Sequence, residues 1–266
     1  RAESVEYIKV PGMVVIAVAR GSHAHGLISN SDLSKAKAHS DCIDIITATE
    51  FTASTTSFIP NTLGKLEPVT TPFIAKDKVR FVGEIIAVVV APNRYLAEDI
   101  AELIEVEYAG LPAYNNAEDA MRDDATPLHE ELGSNVYYSD SFTNGDIDKA
   151  FADADLVVKE KVCTGRTSAT PLETRGVIAA WGWDDTLTVW SSTQMPYPLR
   201  TYISVNLGIP EQIIRVIAPT VGGGFGQKAH FFPEEFILPW VAKRIRKPVT
   251  WQEDRREHML SAALAH

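Results

Sequence analysis

Val221-Gly222-Gly223-Gly224-Phe225-Gly226-Gln227-Lys228 is the stretch that decides between the folds open to this chain. Four of the five residues 222–226 are glycine. Without Cβ atoms such a backbone can take φ > 0 and bring its amides close to a ligand, as cradles for phosphates, pyrophosphates and other oxyanion-rich cofactors do. A phosphate-binding P-loop needs glycine, four residues, glycine, then Lys and Ser or Thr. Gln227 stands where its second glycine should be and Ala229 where the hydroxyl should be, so that reading fails. Gly224-Phe225-Gly226-Gln227-Lys228-Ala229 does fit the dinucleotide pattern G-x-G-x-x-A. It follows a strand-like run (213–217), precedes a helix-like run, and has Glu253 and Asp254 after the next strand-like piece (248–252). Against a doubly wound sheet stand the twelve residues that follow Asp254 and Pro239, which is expected to interrupt the helix. A nucleotide-binding module stays open as an alternative.

Working outward from the loop, residues 176–183 and 186–191 read as a hairpin turning at Asp184-Asp185, and 199–207 as a helix stopped by Gly208-Ile209-Pro210. Further upstream, 145–151 suggests a short helix and 154–163 a strand, while the polar, acidic stretch 114–144 lacks sustained periodicity and reads as a long connection. The run 79–90 is rich in β-branched residues and closed by Pro92, the signature of a strand buried on both faces. Leu96, Ile100, Leu103 and Ile104 then recur at helical spacing over 93–105, with Asn93 as N-cap, before the extended Val106-Glu107-Tyr108. Strands at 13–19 and 43–47 flank a short polar helix at 31–38. The expected class is α+β, divided into a domain at 1–115, a connecting segment at 116–144 and a second unit at 145–266.

Composition narrows the function. Of the 266 residues 45% are hydrophobic and 23% charged, which suits a folded core. A net charge of -10 argues against nucleic acid and anionic membrane as partners, so an anionic ligand must be held by local donors. No apolar run approaches the roughly 18 residues of a membrane span. Cys42 and Cys163 are too far apart in sequence for a metal knuckle and are expected as buried packing residues; the sparse thiols point to a reducing, cytoplasmic location. His23 and His25 share a face of an extended segment but have no third ligand nearby. Glu173 and Arg175, at i and i+2, are expected to form a structural ion pair, and Lys243-Arg244-Ile245-Arg246-Lys247 to be a solvated helix end. On its own Gln194 reads as a cap on the turn at Pro196, and Phe225 as either a core anchor for the loop or a wall of a site.

Three further segments change that reading. Upstream of the loop lie Trp190-Ser191-Ser192-Thr193-Gln194-Met195-Pro196 and Pro171-Leu172-Glu173-Thr174-Arg175-Gly176, and in the first half Arg80-Phe81-Val82-Gly83-Glu84 runs through a helix to Glu107-Tyr108. Together with the glycine loop they resemble the molybdopterin-binding large subunit of the xanthine dehydrogenase and aldehyde oxidase superfamily, nearest to aerobic carbon monoxide dehydrogenase large chains. The resemblance covers nearly the whole chain. It implies a hammerhead α/β domain at 1–115 and the first part of a molybdopterin-binding domain at 145–266.

By that resemblance Gln194 donates a hydrogen bond to an oxo ligand of molybdenum, Gly223, Gly224, Phe225 and Gly226 make close contacts with the cofactor, and Phe225 walls the substrate funnel. The metal is held by dithiolene sulfurs of the pterin, so no protein ligand cluster is required. The cofactor implied is molybdenum-molybdopterin in its cytosine dinucleotide form. FAD and 2Fe-2S sit on a medium and a small partner subunit of an oligomer, and the remainder of the large subunit completes the site. Ala229 stands where purine-oxidising members carry a substrate-binding glutamate, which disfavours purines. The family's general-base glutamate belongs to a part beyond His266, so the chain alone is expected to be inactive. The reaction implied is oxidation of a small substrate (carbon monoxide, an aldehyde or an N-heterocycle) with water-derived oxygen. A non-catalytic partner that completes a site on another chain is the second alternative.

Overall fold

The structure is a computed structural model that describes residues 3–52, 72–136, 139–165 and 167–262. In chain order its elements are β1 (Val14–Arg20), β2 (Gly26–Asp32), α1 (Ser34–Ala38), β3 (Asp44–Thr47), α2 (Ala48–Thr52), β4 (Lys78–Val79), β5 (Ile85–Ala91), α3 (Arg94–Glu102) and β6 (Glu105–Gly110). They continue with α4 (Ala117–Ala120), α5 (Ile147–Ala152), β7 (Gly176–Trp181), β8 (Leu187–Ser191), α6 (Pro196–Leu207), β9 (Ile214–Ile217), α7 (Glu234–Ile245), β10 (Val249–Gln252) and α8 (Arg255–Ser261). The class is α+β, as expected.

Seven strands form one mixed sheet in the order β3-β5-β1-β10-β7-β8-β9, and β4-β2-β6 form a small second one. The large sheet is continuous across the expected boundary at 116–144, because β1 pairs in parallel with β10 (Val14 opposite Val249). β5 explains its apolar run. All seven of its residues are buried, Val88 and Val90 facing the core beneath α6 and α7 and Ala87, Val89 and Ala91 facing the one beneath α3. Full burial of a side chain such as Ile100 of α3 contributes roughly 1.5–3 kcal/mol. Asn93 caps α3 as its sequence predicts, accepting from Leu96 N at 3.1 Å.

Four expectations are corrected. The run 79–90 is two strands in different sheets, broken by a turn at Gly83 (φ +97°) whose approach to Leu260 and Ser261 leaves little room for a Cβ. The helix at 31–38 starts only at Ser34, because 26–32 pairs between β4 and β6 as β2. Residues 154–163 form no strand. Leu156 and Val162 are 80% and 82% exposed and the segment has no strand pairing among the described residues, so its β propensity has nothing to pair with. Pro239 lies inside α7 without ending it, since the helix is held by a buried face that includes Phe236, Ile237, Leu238 and Val241. No helix among the described residues is long and apolar enough to cross a membrane.

Candidate cofactor-facing site

The glycine loop leaves the edge strand β9 and returns to the sheet through α7 and β10. Two upstream segments fasten it. On one side Glu173 exchanges backbone and side-chain bonds with Gly222: Glu173 N donates to Gly222 O (3.2 Å) and Gly222 N donates to Glu173 Oε2 (2.7 Å). The contact is possible only at glycine, because a Cβ on residue 222 would lie 2.6 Å from Glu173 Cβ. Lys228, 2% exposed, reaches back to the same Oε2 at 2.7 Å; burial lowers its pKa, against the pull of the Glu173 carboxylate.

On the other side, Gln194 N and Thr193 Oγ1 both donate to Lys228 O, at 2.9 and 3.3 Å. Thr193 Oγ1 also accepts from Met195 N at 3.1 Å, opening the turn into α6. The Gln194 side chain lies against Gly224 so closely that any Cβ there would overlap its amide. Gln194 itself is exposed, and so is Phe225 at 73%, held with φ +52°. Of the two readings of Phe225, core anchor is thereby corrected: the ring stands at the surface beside Gly223, itself at φ +96°. Gln194, Gly223, Gly224, Phe225 and Gly226 thus meet at one place, fastened from beneath and open above.

Beneath them is a cluster of buried charges. Arg175 lies between Glu253 (2.5 Å) and Glu234 (3.2 Å), with its guanidinium 3.8 Å from the centre of the Phe232 ring. Arg20 joins Glu234 (2.9 Å) to Glu257 (3.0 Å). Burial opposes charge on Arg175, but Glu234 and Glu253 outweigh it and raise the pKa; for Glu234, burial is outweighed by Arg175 and Arg20 and the pKa falls. Burial pushes Glu257 up against the pull of Arg20. Glu235, to which no guanidinium among the described residues is bonded, is pushed by burial up to about 7. His258 completes the cluster, with Nδ1 2.9 Å from Glu253 Oε2 and Nε2 3.2 Å from Ala169 O.

The expected Glu173–Arg175 ion pair does not form, because each side chain has a closer partner of its own in Lys228 and Glu253. His23 stacks on Tyr108 and His25 Nδ1 bonds Pro112 O (2.7 Å); no group of three potential metal ligands occurs among the described residues. Of the two cysteines expected to pack in the core, Cys42 is half-buried and packs against the core beneath α3, whereas Cys163 is exposed. In the basic run Arg244 pairs with Asp44 and Lys243 lies over the Trp181 ring. The dinucleotide reading fails on topology. In that fold the strands on either side of the glycine helix are neighbours, whereas here β7 and β8 separate β9 from β10. Glu253 is buried on Arg175 and Asp254 caps α8, so neither is available to a ribose.

The buried acids escape sequence reasoning because a glutamate reads as a solvent residue. One signal was available: Glu234-Glu235 open a helix whose next five residues, Phe236-Ile237-Leu238-Pro239-Trp240, contain no polar side chain.

Known proteins share this sequence pattern and fold. The family model described as "Molybdopterin cofactor-binding domain" matches residues 128–266, and "Aldehyde oxidase and xanthine dehydrogenase, a/b hammerhead domain" matches 1–112. Nicotine 6-hydroxylase large subunit of Paenarthrobacter nicotinovorans is 36% identical, aligned over 100% of this chain and 33% of its own length. Carbon monoxide dehydrogenase large chain of Afipia carboxidovorans is 34% identical over 98% of this chain and 34% of its own. The crystal structure of quinoline 2-oxidoreductase from Pseudomonas putida 86 superposes with a TM-score of 0.94 at 35% identity, covering 100% of this chain and 34% of that one. The chain therefore spans about a third of the length of the relatives it matches. With a family model over half of its residues, and the hammerhead model over most of the rest, the chain belongs to the xanthine dehydrogenase and aldehyde oxidase family of molybdopterin-binding large subunits.

Proposed function

We propose that this chain supplies one wall of the molybdenum site in an oxidoreductase of the molybdenum hydroxylase type. The observation that carries the reading is the contact of the Gln194 amide with Gly224, with Gln194 N bonded to Lys228 O and Gly224 O accepting from Gln227 N. This cradle fits the group. Its glycines allow an approach that a Cβ would block, and an exposed primary amide can donate to an oxygen ligand without adding charge. When bound, the cofactor supplies two-electron oxidation with oxygen derived from water. The chain's own residues orient and confine: Gln194 presents its amide, Gly223, Gly224 and Gly226 allow close backbone contact, and Phe225 walls the substrate entrance.

The substrate classes are N-heterocycles, aldehydes and carbon monoxide. N-heterocycles stand first, because two of the relatives described above are named for nicotine and quinoline. The general base comes from the remainder of the large subunit. The cofactor takes the cytosine dinucleotide form, electrons leave to 2Fe-2S and FAD on two further subunits, and the assembly is cytoplasmic. The proposed division at 1–115, 116–144 and 145–266 is one of sequence units, which share the large sheet through the pairing of β1 with β10.

Elemental analysis tests the reading. Molybdenum is expected to co-purify in stoichiometric amount with the chain assembled into a complete large subunit. Tight NAD binding by the chain, with no molybdenum in any assembly, would overturn it.

A further inference from the structure

Glu235 sits behind the cradle, 4% exposed, and bonds to both segments that form it. Ser191 Oγ, at the end of β8 and three residues before Gln194, lies 2.6 Å from Glu235 Oε1. Phe232 N, four residues after Lys228 on the chain leaving the glycine loop, donates to Glu235 Oε2 at 3.1 Å. We propose that Glu235 is a positioning residue: its single carboxyl clasps the strand that delivers Gln194 to the segment that leaves the glycine loop.

The surroundings favour the neutral acid in this clasp. Two guanidiniums, Arg20 and Arg175, already face three other carboxyls, Glu234, Glu253 and Glu257. Glu235 lines a cavity of about 10 Å³, scarcely one water, together with Arg175, Trp251, Lys228 and His230. A fourth negative charge here would stand next to Glu234 with neither guanidinium bonded to it. In the structure Ser191 Oγ donates to Glu235 Oε1; a neutral acid would reverse that bond, donating to Ser191 Oγ while still accepting from Phe232 N. A glutamine makes the same two bonds, its Nε2 donating to Ser191 and its Oε1 accepting from Phe232.

The inference rests on the proposed cofactor-facing role of Gln194 and the loop, but its test needs no cofactor. Amide hydrogen exchange of the full chain is measured below pH 4.5, where Glu235 is protonated both folded and unfolded, for wild type, Glu235→Gln and Glu235→Leu. Leucine should speed exchange in 191–194 and 226–232 about ten-fold, while glutamine stays within about two-fold of wild type. Leucine exchanging like wild type, or glutamine as fast as leucine, overturns the clasp. Should the leucine variant not fold, Ser191→Ala cuts one tie alone: faster exchange confined to 191–194 supports the proposal, and unchanged exchange there overturns it. A chain that shows this pattern yet never retains molybdenum in a complete large subunit would defeat the cofactor reading and leave the clasp standing.

Discussion

The cradle and the segment 139–165 are opposites built from the same kind of chain. Both are mostly irregular, and both carry large apolar side chains at the surface: Phe225 in one, Phe142, Phe151, Leu156 and Val158 in the other. The cradle is fastened by Glu173, Lys228, Thr193 and the main chain of Gln194, and rests on a buried ionic cluster. The segment has the exposed Lys161–Glu118 pair tying it to α4, a contact of little weight at a surface. Irregular backbone is held in one shape where buried partners bond it, and β propensity alone does not make a strand.

Substitutions can break this contrast at graded cost. Arg175→Met should have the largest effect, because it leaves Glu234 and Glu253 buried with a partner removed; about 3–5 kcal/mol of stability should be lost in urea unfolding. A loss under about 1 kcal/mol would mean that the cluster does not support the cradle.

Glu235 gives the next effect, and its size depends on pH. The folded chain holds this proton up to about pH 7, whereas an unfolded glutamate releases it near 4.5. The resulting stability is complete below the unfolded pKa and is lost as pH rises through the folded one. Glu235→Gln has no such loss, so its advantage over wild type should grow between these limits to roughly 3 kcal/mol. Melting temperatures of both proteins across this range check it, and a constant difference would contradict it.

Smaller effects calibrate the rest. Asn93→Ala removes the cap of α3 and should cost about 1 kcal/mol by denaturant titration. Val158→Thr in the exposed segment should change stability by less than about 0.5 kcal/mol. A cost as large as that of the cap would show that 154–163 is packed in solution, and would erase the contrast.

What was legible in the sequence follows the same division. The β5–α3 pair was readable because burial on two faces and an asparagine cap leave local marks, and the glycine loop because its composition is a local mark, whereas Gln194 was joined to it only by the family resemblance. β2 was hidden by its composition: Ser29-Asn30-Ser31-Asp32 looks like a turn, yet Asn30, Ser31 and Asp32 pair with β6. The cluster under the cradle could not be read, since Arg20, Arg175, Glu234, Glu253 and His258 are brought together by the order of strands rather than by any local pattern.

The most direct measurement is a crystal structure of the assembled large subunit with anomalous data at the molybdenum edge. The account predicts one molybdenum peak over the cradle, with its ligands in contact with the Gln194 amide and residues 223–226. A peak elsewhere in the molecule, with Gln194 turned to solvent or to unrelated protein, would contradict it.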